Sequence, residues 1–458
     1  MKIKIFLFIL LPLISFSQNK ISPFGGEFKF NPNQTPCITE LSRANIKIKL
    51  QNNIDKLEAF GKLSYKQFTS EKPSFIWPVK KAANVEFNDV FAISNYVDHN
   101  SAYPNQLQDY NCGSRTYDTD NGYNHKGIDI YSWPFSWYQF QNDLSEVIAA
   151  APGTIIYKND GEFDMSCNFN SNEWNAIYVR HSDNSIAWYG HLKSGSLNSK
   201  NIGDTVNEGE YLGVVGSSGN STGPHLHFEV YDSASNLVDP YNGDCNTETS
   251  WWRNQPNYYS PNINAALTHD APPSFNNNCP DVESTNISDI FLPNSNIYLA
   301  GYFKDQLSGT TANFKLYHPD GSSESWSKSF TNTYTSSYWY WAKNNLNSLG
   351  TYLFEISYQG KSTSNSFNIV SSLNLNTENI ENFKIISNPF KGELKITSAQ
   401  IRPENYRLDI YNQLGQRVFK QKSFLNKLDL QFLSKGIYFL RIQNKNKRIT
   451  QSFKIIKE

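Results

Sequence analysis

Short apolar runs separated by polar turn residues dominate the chain and predict a mainly β protein. Between residues 75 and 250 these runs read VIAA, TIIY, AIYVR, SIAWYG, YLGVVG and LHFEV, with Gly, Asn, Asp and Ser between them. This alternation is typical of strands joined by turns. We therefore expect residues 75–250 to form a compact β domain.

Two further β-rich segments follow it. The runs NIYLAGYF, ANFKLYH, YLFEISYQ and SFNIV predict a β-sandwich module over residues 280–370, of a size typical of immunoglobulin-like domains. The runs FKIIS, ELKIT, RLDIYN and GIYFLRI predict a small β unit over residues 382–458. The Pro- and Asn-rich residues 251–279 and the polar residues 371–381 are expected to be linkers.

The N-terminus has a different pattern. MKIKIFLFILLPLISFSQ combines two lysines, an apolar run and small residues, which predicts a signal peptide over residues 1–17. The apolar run is too short to span a bilayer as a helix. Within residues 18–74, ELSRANIKIKLQNNIDKLEAFGKL has the apolar spacing of a helix. Residues 18–74 are expected to be either a pro-segment or a packing arm.

The composition limits which partners and which cellular compartment the protein is expected to have. The 458 residues carry a net charge of -1, with 18% charged and 15% aromatic residues. This balance predicts neither nucleic acid nor an anionic membrane as a partner. The five cysteines include no CxxC pair, which argues against zinc-finger chemistry. In an oxidising compartment we expect disulfides Cys112–Cys167 and Cys245–Cys279, with one thiol left over.

Candidate chemistry lies in the first β domain. In STGPHLHFEV, His225 and His227 share one face of a strand with their Cα atoms about 6.6 Å apart, so they can contribute to one site. Their spacing suits one metal ligand and one catalyst better than two interchangeable ligands. Upstream, His125 and Asp129 are four residues apart, and Gly127 between them permits the turn that joint ligation requires.

A third histidine, His191, ends the strand WYGHL. Two imidazoles and one carboxylate are the ligands of a catalytic zinc site, whose fourth position holds a water with a pKa lowered to about 7. The chain has no HExxH sequence, so a helix of the thermolysin type is excluded. His191 and whichever residue of the His225 and His227 pair is not a ligand would carry proton transfer. The remaining histidines are expected to be solvated loop residues: His99, His181, His269 and His318.

The stretches GYNHKGIDI, WYGHL and GDTVNEGEYLGVVGSSGNSTGPHLHFEV closely resemble the lysostaphin-like, or LytM-type, zinc endopeptidases that cut peptidoglycan peptides. The resemblance covers about residues 110–240 and implies a β-sheet metallopeptidase fold of the duplicated hybrid motif type. Carried over by position, it implies one Zn²⁺ held by His125, Asp129 and His227, with His191 and His225 as the catalytic pair. Hydrolysis would proceed through a zinc-bound water.

The C-terminal unit resembles the sorting domain of the type IX secretion system, through ISNPF, LDIYNQLGQRV, LSKGIYFLRI and FKIIKE. This resemblance implies export through both membranes to the cell surface or medium, with the secretion machinery as a partner and no membrane span after signal removal. We expect a monomer.

Several alternatives stay open. The same fold could serve as an inactive surface binding or activator module, or the enzyme could cut Gly-rich extracellular protein. Glu229 fits either an orienter of the zinc ligands or a solvated edge carboxylate. In SSYWYWAKNN, burial of Trp339 and Trp341 in a sandwich core is the commoner outcome, and sugar binding is the alternative.

Overall fold

The computed structural model describes residues 23–30, 36–63, 71–83, 85–168, 170–275, 283–371, 383–398, 402–412, 417–444 and 450–458. The predicted signal peptide 1–17, almost all of the predicted linker 371–381, and Cys279 lie outside these residues. The chain folds into two compact units, and the boundary between them lies between Ser372 and Leu373. The described part is mainly β, which confirms the predicted fold class.

The first unit begins with an N-terminal arm, by which we mean residues 23–30 and 36–63. It contains strand β1 (Phe24–Glu27) and helix α1 (Glu40–Ala59). The hydroxyl of Thr39 accepts a hydrogen bond from the Ser42 amide and so caps the start of α1. Leu50, Ile54 and Leu57 recur at helical spacing and are buried. Burial of each such side chain contributes about 1.5–3 kcal/mol, so this one face fixes α1 to the β domain.

The first β domain holds strands β2–β12 and one short helix. Their bounds are β2 Val79–Lys81, β3 Phe91–Asn95, β4 Ile128–Ser132, α2 Ser136–Asn142, β5 Ser145–Ile148, β6 Gly153–Asn159, β7 Ala176–Arg180, β8 Ile186–Gly190, β9 Thr205–Val206, β10 Tyr211–Val214, β11 His225–Tyr231 and β12 Leu237–Val238. The main sheet has the order β3-β4-β11-β8-β7-β6-β9, with β12 paired to β11, and a smaller sheet has the order β10-β5-β2. The strand β11 that carries the two histidines is therefore central, between β4 and β8.

A β-sandwich completes the first unit. Its strands are β13 Asn262–His269, β14 Ile290–Phe291, β15 Ile297–Gln306, β16 Thr311–Tyr317, β17 Ser323–Ser329, β18 Tyr334–Lys343, β19 Gly350–Tyr358 and β20 Lys361–Ile369. One sheet has the order β1-β18-β15-β13 and the other β14-β20-β19-β16-β17. Strand β13 lies inside residues 251–279, so that segment is not simply a linker. The apolar run INAALTH pairs with β15 despite its Pro- and Asn-rich flanks.

The aromatic strand β18 resolves one open alternative. Trp341 is buried in the core between the two sheets, and Trp339 packs against the same core. Tyr338 and Tyr340, on the opposite face, pack against the core of the first β domain. These four side chains therefore hold the unit together, as the burial interpretation predicts.

The second unit contains strands β21 Lys384–Ile385, β22 Glu393–Thr397, β23 Tyr406–Tyr411, β24 Arg417–Gln421, β25 Lys427–Asp429, β26 Gly436–Asn444 and β27 Thr450–Lys457, with a 3₁₀ turn at Pro403–Asn405. Its sheets have the orders β21-β22-β25 and β24-β23-β26-β27. Leu394, Leu408, Leu440 and Ile455 belong to its separate core.

The predicted disulfide pairing is wrong. Cys112 is bonded to Cys245, 133 residues away, and Cys167 is also disulfide-bonded. The thiol left over is Cys37, which is buried. Spacing along the chain could not give this pairing, because the turn that carries Cys245 folds back beside Tyr110, where the amide of Cys245 donates to the Tyr110 carbonyl.

Two of the four histidines expected in solvated loops are buried instead. His181 contacts the Pro152 carbonyl at 2.8 Å, and His269 lies 2.8 Å from the Thr285 carbonyl. Burial lowers the pKa of both, to about 4 for His269. Their partners are distant along the chain, so local polarity was misleading.

Candidate metal centre and active site

Strand pairing places three of the predicted site residues on one face of the sheet. On β11, His225 and His227 are two residues apart, and His227 lies directly opposite Asp129 of β4. On its other side, His227 pairs with Gly190 of β8. An added Cβ at Gly190 would lie 2.3 Å from the Trp174 ring, so this position requires glycine. The two histidines and the carboxylate thus share one site.

His125 reaches the same site through the predicted turn before β4. Its Nδ1 lies 2.7 Å from the Tyr96 carbonyl, and because a carbonyl only accepts, Nδ1 carries the proton. Its Nε2 faces the site, 3.1 Å from Asp129 Oδ2, and becomes an electron-pair donor to a metal once it gives up its proton. A Cβ at Gly127 would lie 2.6 Å from the His227 ring, so glycine is required for this close approach.

His191 and His225 form a second pair beside these donors. Their ring centroids are 4.4 Å apart. His191 Nδ1 lies 2.6 Å from the Ser218 carbonyl, and His225 Nδ1 lies 2.8 Å from the Gly223 carbonyl, so each ring turns Nε2 into the site. His191 has a φ of 60°, a left-handed conformation that is uncommon outside glycine and concentrates at functional sites.

Glu229 orients His227, which resolves another open alternative. His227 Nδ1 lies 2.8 Å from Asp129 Oδ1, while Nε2 on the far side of the ring lies 3.0 Å from Glu229 Oε2. Glu229 is fully buried and also accepts hydrogen bonds from Tyr231 and from Arg43 of helix α1. A carboxylate behind a ligating histidine fixes its tautomer and raises its basicity. Glu229 is therefore not a solvated edge residue.

Sequence reasoning did not place Cys37 at the site. Its Sγ lies 3.3 Å from the Tyr117 hydroxyl and 4.0 Å from Asp129 Oδ1. Tyr117 stacks on His125 with centroids 4.6 Å apart. The odd cysteine count was the one signal in the sequence that a thiol is available, but it says nothing of where that thiol lies.

The donor set fits zinc. One ligand atom each from Cys37, His125, Asp129 and His227 lie within 4.8 Å of one another, a mixture of sulfur, nitrogen and oxygen that zinc binds in tetrahedral sites. His125 Nε2 and His191 Nε2 are buried without a hydrogen-bond partner among the described residues, a costly state that a bound ion or water relieves.

The charged groups of the site strongly shift one another's pKa values. Burial lowers the pKa of His125, but the Asp129 carboxylate outweighs it and raises the value to about 9. Burial alone would raise the pKa of Asp129, yet the His125 charge holds it well below its usual range. Burial and the neighbouring His225 lower the pKa of His191, which keeps that imidazole neutral and able to accept a proton. Burial and Asp129 both raise the pKa of the Cys37 thiol, but the surrounding histidines, His227 first, hold it well below its ordinary value.

Residues 123–240 match the model of peptidase family M23. The chain carries an M23 domain. This match contains all five predicted site residues and confirms the resemblance to lysostaphin-like endopeptidases.

Curated relatives of the M23 domain include peptidoglycan DD-endopeptidase ShyC of Vibrio cholerae, 37% identical over 81 residues, which are 18% of this chain and 18% of that protein. Endolysin 2638A of Staphylococcus phage 2638A is 30% identical over 128 residues, 27% of this chain and 22% of the endolysin. The chain therefore matches about a fifth of the length of either relative. The solved catalytic domain of lysostaphin from Staphylococcus simulans is 27% identical, with 27% of this chain and 83% of that one covered and a TM-score of 0.20.

Residues 384–458 match the model of the secretion system C-terminal sorting domain. This domain indicates type IX export to the cell surface or extracellular space, which confirms the predicted localisation. Among the residues that the structure describes, no helix has the length and apolar character needed to cross a membrane.

Proposed function

We propose that residues 75–250 act as a zinc metalloendopeptidase on peptide bonds of bacterial peptidoglycan, with one Zn²⁺ per chain. The observation that carries this proposal is the convergence of His125, Asp129 and His227 on one point, where His125 Nε2 is buried without a hydrogen-bond partner among the described residues. The substrate follows from the curated relative named as a peptidoglycan endopeptidase.

The geometry of the site supports a separate role for each residue. His125, Asp129 and His227 would hold the ion, which supplies Lewis acidity toward the substrate carbonyl and lowers the pKa of a water molecule. The neutral His191 would accept the proton released as water attacks, since its Nε2 points into the site and makes no hydrogen bond among the described residues. His225, whose Nδ1–H donates to the Gly223 carbonyl, would stabilise the developing oxyanion through Nε2–H in its protonated, imidazolium form.

The other segments receive matching roles. Residues 18–74 would be a pro-segment that packs on the enzyme, 280–370 a spacer, and 382–458 the signal read by the secretion machinery, with a monomeric chain. An inactive binding module is the alternative. The complete set of residues argues against it, because a binding surface needs neither three converging metal ligands nor two further histidines beside them.

Clearing of purified cell walls, with zinc content measured on the same samples, tests the proposal. Because Cys37 lies among the donors, the assay uses the full chain and its Cys37→Ser variant, each also with His227→Ala or His191→Ala. We expect His227→Ala to lose zinc, and His191→Ala to keep zinc but lose about 10²–10⁴-fold in rate, the usual contribution of general acid–base catalysis. Zinc-free and inactive parents would support the binding module, and zinc without clearing would point to another peptide substrate.

A further inference from the structure

The N-terminal arm covers the site of the M23 domain. His125, His191 and His227 are 0% exposed, and Asp129 and His225 are each 4% exposed. A peptidase must admit an extended peptide to these groups. The structure is therefore closed to substrate, and the arm supplies the groups that close it.

On one side of the site, Phe30 of the arm stacks on Tyr131 with centroids 4.4 Å apart and meets the His225 ring edge-on at 5.8 Å. Close to Cys37, the Pro36 carbonyl accepts a hydrogen bond from the Asn220 amide group. The arm therefore contacts the loop before β11 as well as the strand itself.

Helix α1 anchors the other side. Its buried residues share a core with Trp174, Tyr178, Trp188 and Tyr231 of the sheet. Ion pairs reinforce the contact: Lys126 Nζ lies 2.7 Å from Glu40, Arg180 lies 3.0 Å from Glu58, and Arg43 pairs with the buried Glu229. This is a docked element with specific partners.

Between these two anchors, Cys37 presents its sulfur to the donors. Its ligand atom lies within 4.8 Å of those of His125, Asp129 and His227, and it forms a second such group with His191 and His225. It is the free cysteine of the described residues. Independently of the thiol, His125 Nε2 and His191 Nε2 are buried, lack hydrogen-bond partners in the described part of the chain, and face the same point.

We propose that Cys37 is the fourth zinc ligand and that the N-terminal arm thereby holds the peptidase latent. This inference rests on the proposed zinc site. Catalytic zinc sites keep one position open, whereas four protein ligands make a closed site of the structural kind. Sulfur in the fourth position excludes both water and the substrate carbonyl, so activity requires that Cys37 leave the ion.

Cobalt(II) substitution of the full-length protein tests ligation directly. A thiolate bound to cobalt(II) gives an intense near-ultraviolet charge-transfer band, which histidine and carboxylate ligands do not give. We expect this band in the wild type. Cys37→Ser should still bind one cobalt(II) but lack the band. Thr39→Ala is the matched control, because it removes the cap of α1 without touching the thiol, and its band should persist.

Wall hydrolysis by the zinc-loaded proteins tests latency. We expect Cys37→Ser to act at least about tenfold faster than the wild type, because the open state is no longer opposed by the sulfur ligand. Equal rates would overturn latency.

The two proposals fail in different ways. Wild-type protein that binds cobalt(II) without the charge-transfer band overturns ligation by Cys37 and leaves the proposed peptidase intact. Failure of both the wild type and Cys37→Ser to bind metal refutes the zinc site itself, and the inference with it. The wild-type spectrum decides the point even if the variant folds poorly.

Discussion

The contact between Glu229 and the proposed zinc ligand His227 predicts two separable effects of Glu229→Gln. In the wild type, His227 Nε2 lies 3.0 Å from Glu229 Oε2. The amide oxygen of glutamine can still accept this hydrogen bond, but the negative charge of the carboxylate is lost. Loss of such a charge behind a ligating histidine weakens metal binding by about 10–100-fold. We therefore expect zinc affinity to fall by that factor.

The same substitution strands Arg43, whose side chain is only 4% exposed in its ion pair with Glu229. Removal of one partner of a buried ion pair costs about 3–5 kcal/mol. The pKa of Glu229 gives the same magnitude: burial raises it, but Arg43 and His227 hold it at about 2 instead of its ordinary 4.5. This difference corresponds to about 3 kcal/mol in favour of the charged form.

Arg43→Met combined with Glu229→Gln separates the two effects. A neutral pair costs little compared with a buried ion pair, so the double variant should recover stability to within about 1 kcal/mol of the wild type. Its zinc affinity should stay low. Urea unfolding of the metal-free proteins measures the first quantity, and competition with a chromophoric chelator measures the second. The reasoning is refuted if zinc affinity changes by less than about threefold, well below the expected range, or if Arg43→Met restores it.

Three further substitutions have defined outcomes. Burial of Glu283 raises its pKa to about 7, so the folded protein holds an extra proton between pH 4.5 and 7 and loses about 3 kcal/mol as the pH rises through that window. Glu283→Gln should abolish this loss. Thermal unfolding of both proteins at pH 5 and pH 8 checks this: the idea is wrong if the variant, relative to the wild type, is no more stable at pH 8 than at pH 5. Gly127→Ala places a methyl group 2.6 Å from the His227 ring and should lower zinc content, measured by atomic absorption, with little loss of secondary structure by circular dichroism. Replacement of both Cys112 and Cys245 by serine opens a link across 133 residues and should destabilise the first unit by about 5 kcal/mol in urea. A change below about 1 kcal/mol would mean that the unfolded chain gains little freedom when the link is lost.

The sequence predicts a strand correctly where the strand itself has an apolar run bounded by turn residues. The run AIYVR coincides with β7, SIAWYG contains β8, and VIAA overlaps the end of β5. Strand β1 has no such signal, because its sequence FGGE has no apolar alternation and is held by backbone pairing with β18. Strand β13 was concealed by the composition of its flanks. Both β1 and β13 form because they pair with distant segments, and the pattern within a single strand does not encode such pairing.

The residues of the candidate site also fall into those that the sequence predicts and those that it does not. Short spacings, i and i+2 for His225 and His227 and i and i+4 for His125 and Asp129, could be interpreted without a structure because neighbours on a strand or turn must lie close together. Cys37 is 92 residues from Asp129 along the chain, and Arg43 is 186 residues from Glu229. No periodicity links residues so far apart, so their contribution to the site emerges only from the docking of α1 on the sheet.

The docking of the arm couples its stability to the metal in both directions. Cys37 lies among the donor atoms, and Arg43, six residues further along the chain and in the first turn of α1, holds the carboxylate that orients His227. If Cys37 binds zinc, thermodynamic linkage requires that zinc stabilise the docked arm by the same free energy with which the arm tightens zinc binding. Displacement of the arm then removes two supports at once, the sulfur ligand and the counter-ion of Glu229. The active form should consequently hold its zinc less tightly than the latent one, while Tyr231 still hydrogen-bonds to Glu229 and keeps His227 in place.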